Sequence, residues 1–124
     1  MKLAIKTEPN KDKLEIIKSL GYECVEVYTS RPFLQPEYLH LLKSFPFEYS
    51  VHSPVQYCDS SLFSFAKELS AKTVTIHCVY TEGELRSLAN MAQDAGIYLC
   101  IENEGVFGDD NYEKDSEKPN ELET

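Results

Sequence analysis

TVTIHCVYTEGELRSLANMAQDAGIYLCIE, residues 73–102, is the stretch that decides the fold. It opens on a β-branched run, TVTI, and closes on a second apolar run, IYLCI, with a helix signature between them. Thr81 and Glu84 stand at capping-box spacing, Leu85, Leu88, Ala89 and Ala92 form an apolar stripe, and Gly96 supplies the stop. Strands separated by a helix rather than a hairpin turn lie parallel, joined by a right-handed crossover. A potential metal ligand follows each run: His77 after the first and Glu102 after the second, 25 residues apart.

The same unit recurs upstream. EYSVHS at 48–53 places His52 another 25 residues before His77, and ECVEVYT at 23–29 and LAIKT at 3–7 supply two earlier strands. Helix patterns fill the gaps. Lys11 to Leu20 carries Leu14, Ile17 and Leu20 on one face and stops at Gly21. A second helix begins near Pro36 and gives way at Phe45-Pro46. In a third, Asp59 or Ser60 caps a stripe of Leu62, Phe65, Ala66 and Leu69. Five strands and four intervening helices predict an α/β chain of parallel (βα) repeats.

Two closures are compatible with that order: an open doubly wound sheet, or the first five strands of a TIM (β/α)8 barrel. Strand phase separates them, because alternate side chains point to opposite faces. One phase contains Val25, Val27, Tyr49, Val51, Val74, Ile76, Leu99 and Ile101. The other contains Cys24, Glu26, Tyr28, Glu48, Ser50, His52, Thr73, Thr75, His77, Tyr98, Cys100 and Glu102. An open sheet would bury the second set under helices, at several kcal/mol for each uncompensated charge. A barrel turns it toward a shared, partly wet centre, and the barrel is therefore the predicted closure.

Composition sets the outer bounds. At 124 residues and 42% hydrophobic content there is material for one modest core. A complete barrel needs about 250 residues, so the expectation is a truncated one: a partial barrel over 1–107, then an acidic loop or tail over 108–124 leading into a truncated helix. A disordered acidic tail on a complete small domain is the alternative. The formal charge of −9 is uneven: residues 102–124 hold 9 acidic and 2 basic side chains, residues 1–101 hold 12 and 10. With no basic stripe, a nucleic-acid partner is not expected. No run approaches the roughly 18–20 apolar residues of a membrane span, and LAIKT is not a signal peptide. A soluble cytoplasmic protein is the expectation. Cys24, Cys58, Cys78 and Cys100 include no CxxC pair, which argues against a zinc knot or a disulfide framework.

The strand ends VHSPV, VTIHCVY and CIENEG, with CVEVY after GY, resemble the third, fourth, fifth and second strand ends of the xylose-isomerase-like TIM barrel superfamily, which includes sugar phosphate isomerases and epimerases and endonuclease IV-like enzymes. The resemblance covers residues 1–107 and corresponds to the N-terminal half of such a barrel. It implies that Glu102 is a ligand to a divalent metal (manganese, zinc, magnesium or cobalt) and, in the endonuclease IV enzymes, that His52 and His77 are ligands too. It further implies a carbohydrate substrate and an isomerase or epimerase reaction in which Glu102, His52 and His77 are catalytic. His77 is followed by Cys78-Val79-Tyr80 rather than the HPG-type sequence of the endonucleases, a departure from that branch. The remaining ligands of the family lie on later strands, so weak or absent catalysis is expected of these 124 residues.

Each candidate has an ordinary explanation beside this one. A strand-end histidine is often a hydrogen-bonded core residue, and Glu26 can pair with Lys6 across the first two strands. Asn103 and Glu104 have the polarity of any loop. Tyr28, Arg31, Ser53 and Tyr57 follow strand ends and are candidates for binding hydroxyls or phosphate. His40 falls on a helix, as a solvated surface residue. The other classes of function weighed are a zinc phosphodiesterase of the endonuclease IV kind and a non-catalytic half-barrel that forms a homo-oligomer through its open edges.

Overall fold

A computed structural model describes residues 3–54 and 58–102. Five strands, β1 (Ala4–Thr7), β2 (Cys24–Tyr28), β3 (Glu48–His52), β4 (Thr73–Ile76) and β5 (Tyr98–Ile101), alternate with helices α1 (Lys11–Ser19), α2 (Pro36–Lys43), α3 (Ser60–Glu68) and α4 (Glu82–Ala95). Every neighbouring strand pair is parallel and the order is β1-β2-β3-β4-β5. That order settles the closure. A doubly wound sheet reverses its strand order partway so that helices cover both faces, whereas consecutive order with crossovers of one hand puts every helix on one face, as in a barrel.

The apolar phase faces those helices. Val25, Val27, Tyr49, Val51, Val74 and Ile76 are buried against Leu14 and Ile17 of α1, Leu42 of α2, Leu62, Phe65 and Ala66 of α3, and Leu88 and Ala92 of α4. Helix ends follow the local chemistry. The Asn10 side chain accepts from the Lys13 backbone N–H and Asp59 accepts from that of Ser61. Thr81 and Glu84 satisfy one another's backbone donors in a complete capping box. Gly96 ends α4 at φ +72°, in the left-handed region where a side chain is strained.

Three apolar residues depart from the expected pattern: Ala89 of the α4 stripe, which is exposed, Leu20 and Ile101. Leu20 is exposed because it caps α1 beyond the last turn that packs on the sheet, so only Leu14 and Ile17 of its stripe are buried. Ile101 has the phase of the core yet is 48% exposed. It stands at the far end of β5, an outer strand of the described sheet. A short 3-10 helix, Arg31–Leu34, which the sequence reading lacks, turns the chain between β2 and α2. The acidic segment 108–124, with Asn103, Glu104 and Tyr57, lies outside the described residues.

Candidate metal centre at the strand ends

His52 is the last residue of β3, and His77 and Glu102 are the first residues beyond β4 and β5. All three fall on the polar phase, at the carboxyl ends of adjacent parallel strands, where barrels of this kind carry their sites. One nitrogen or oxygen from each lies within 4.8 Å of the others. His52 Nε2 is 3.0 Å from Glu102 Oε1, and His77 Nδ1 is 3.6 Å from the same oxygen. The two imidazoles meet edge to face at 4.9 Å between ring centres. The structure therefore brings together all three residues singled out from the sequence.

The surroundings of His52 are more specific than proximity. Its ring is buried, 3% exposed. Nδ1 lies 3.0 Å from the Ser53 carbonyl oxygen and Nε2 faces the Glu102 carboxylate. Both oxygens accept hydrogen bonds, and a neutral imidazole has only one N–H to donate. Donation from Nδ1 to the carbonyl leaves Nε2 with a lone pair pointed at a carboxylate. The other tautomer donates Nε2–H to the carboxylate and leaves Nδ1 facing the carbonyl; a cation between Nε2 and Glu102 would satisfy both contacts at once. A backbone carbonyl fixing the far nitrogen is also the usual arrangement of a metal-bound histidine.

The chain holds this strand end firmly. Thr29, fully buried just after β2, donates both its backbone N–H (3.0 Å) and its hydroxyl (2.9 Å) to the His52 carbonyl oxygen. Ser53, also fully buried, donates its N–H to the Thr75 carbonyl oxygen and its hydroxyl to that of Pro54. Sequence reasoning offered Ser53 as a candidate for binding hydroxyls or phosphate and passed over Thr29. Both position His52, and the signal for such a role is a small hydroxyl residue directly after a strand. The Glu102 side chain is 41% exposed, so part of its carboxylate is open to a ligand.

The other candidates do not join the cluster. Glu26 is the register partner of Lys6, as expected for a cross-strand pair, but the Lys6 ammonium lies over the Tyr28 ring, 5.7 Å from its centre. Tyr28 itself packs beside His52, with ring centres 6.0 Å apart. Arg31 is in the 3-10 helix and His40 is exposed on α2. No disulfide links the four cysteines among the described residues. Cys58 is half-buried, and that burial, with Asp59 beside it, pushes its thiol up to about 12.

No protein-family model and no curated protein matches this chain. Solved structures do. One is the TTHB071 protein from Thermus thermophilus, from a crystal soaked with ZnCl2. It is 19% identical, with a TM-score of 0.68 over 82% of this chain and 55% of that one. Another is a D-tagatose 3-epimerase-like protein, 18% identical, with a TM-score of 0.72 over 83% of this chain and 53% of that one. No helix of the described residues is long and apolar enough to cross a membrane. The chain spans about half the length of the solved structures it matches, and its fold is that of five consecutive strands of a TIM barrel.

Proposed function

We propose that His52, His77 and Glu102 hold a divalent metal and that the complete barrel isomerises or epimerises a sugar or sugar phosphate. The observation that carries this reading is His52, whose two ring nitrogens both face acceptor oxygens. Two neutral imidazole nitrogens and a carboxylate oxygen suit zinc, manganese or cobalt, and tolerate magnesium less well. Such an ion polarises a substrate carbonyl and the neighbouring hydroxyl when bound. The work of the chain's own residues is then proton transfer and orientation. Glu102, partly open, would take a proton from the carbon beside the carbonyl and, in an isomerisation, deliver it to the former carbonyl carbon; an epimerisation would need a second acid on the opposite face. His52 and His77 would hold the ion that meets the oxygens on which charge develops.

A phosphodiesterase of the endonuclease IV kind would use the same donors. Two features favour the sugar reading: the Cys78-Val79-Tyr80 sequence after His77 and the absence of a basic stripe for phosphates. The epimerase-like neighbour points the same way.

Elemental analysis of the purified wild type, Glu102→Gln and His77→Ala, paired with an epimerase assay on ketopentoses and ketohexoses and their phosphates, tests the proposal. We expect a bound divalent ion in the wild type, and in both variants a loss of metal together with at least a hundredfold loss of any turnover. Equal metal content in all three proteins would remove the reading.

A further inference from the structure

Lys6 belongs to the same interior ring of side chains as the three candidate ligands. The register steps back two residues between β4 and β3, where Thr75 rather than His77 partners His52, and again between β2 and β1, where Glu26 rather than Tyr28 partners Lys6. Strand tilt in a barrel produces such stagger, and residues so offset come to one height along the axis. The contacts follow that ring without a gap. Lys6 lies over Tyr28 at 5.7 Å, Tyr28 is 6.0 Å from His52, His52 is 4.9 Å from His77, and Glu102 reaches His52 at 3.0 Å. Five consecutive strands thus each contribute one side chain.

Lys6 is exposed and forms no ion pair with Glu26 among the described residues. Its ammonium rests on an aromatic face, an arrangement that steadies a cation without using its N–H groups. The Tyr28 ring neighbours both, its centre 5.7 Å from the Lys6 ammonium and 6.0 Å from the centre of the His52 ring. We propose that Lys6 is the specificity-determining residue for an anionic group, phosphate or carboxylate, at the end of the substrate remote from Glu102. The Tyr28 ring would support the carbon chain between the two. This deepens the sugar isomerase reading and rests on it: the substrate becomes a sugar phosphate or a sugar acid rather than a free sugar.

The test measures binding by full-length wild type, Lys6→Gln and Lys6→Arg to a matched panel. It comprises free ketopentoses and ketohexoses, their terminal phosphates, and the corresponding terminal carboxylates. Hydrogen bonds to charged groups contribute enough for about a tenfold or larger preference for a charged form over its free sugar in the wild type. Lys6→Gln should bring that ratio close to one, and Lys6→Arg should restore most of it. Whether phosphate or carboxylate shows the larger ratio identifies the anion. A wild-type ratio of one, or a ratio that survives Lys6→Gln, overturns the inference and leaves the metal site and the sugar reading intact. If no member of the panel binds, the parent reading fails and this one falls with it.

Discussion

At the scale of single residues, the features that make His52 a credible ligand are supplied by neutral neighbours. Thr29 and Ser53 have no charge to advertise a site, yet between them they fix the carbonyl of His52, its following peptide and its Nδ1. Thr29→Val keeps the shape of the side chain and removes one of the two donors on the His52 carbonyl. A net loss of about 1 kcal/mol is expected, typical of a single buried hydrogen bond. Chemical denaturation should show it as a lower midpoint with an unchanged slope, and metal content should fall less than in Glu102→Gln. A Thr29→Val protein as stable as wild type would mean that the backbone N–H alone holds the strand end. His52, His77 and Glu102 were legible in the sequence because each breaks the polar-phase run with a ligand atom at a strand end. Thr29 and Lys6 were not, since hydroxyls after strands are common and the stagger that lifts Lys6 to the level of the site is a property of the assembled sheet.

At the scale of elements, helix starts were the most legible features because a cap is a local hydrogen bond between residues two or three apart. Asp59 and the Thr81-Glu84 pair act as their spacing predicted, and Asn10 caps α1 by the same chemistry. The burial of Leu20 was misjudged because periodicity says which side a residue points to and not where the packing surface ends. The 3-10 turn at Arg31–Leu34 escaped notice because its contacts span only three residues and leave no stripe. For α4, Thr81→Ala removes the acceptor for the Glu84 N–H and unbalances the box. About 1 kcal/mol should be lost, read as a fall of about 4–8 °C in Tm for a domain of this size. Because Thr81 lies outside the cluster of ligand atoms, the metal content should be that of the wild type. An unchanged Tm would show that the box is not held in solution.

At the scale of the whole molecule, the placement of helices on one face decides both what is dry and what is reactive. The dry face contains three acidic protons held by burial. Tyr49 is raised above the usual tyrosine range by desolvation while its hydroxyl donates to the Leu42 carbonyl oxygen at 2.6 Å. Desolvation is also the main cause that pushes Cys58 and Tyr80 up to about 12. Each group binds its proton more tightly folded than unfolded, so between the ordinary and the raised values the native state holds more protons than the unfolded chain. Stability must then fall as pH rises. The contribution is complete below about pH 9, the ordinary thiol value, and is lost progressively toward pH 12. Urea midpoints measured from pH 7.5 to 11 should therefore be level up to about pH 9 and decline beyond it. Cys58→Ala and Tyr49→Phe should each flatten the decline, since neither replacement can ionise. A midpoint that stays level or rises over that range would mean that these side chains are wetter in solution than their packing between sheet and helices requires.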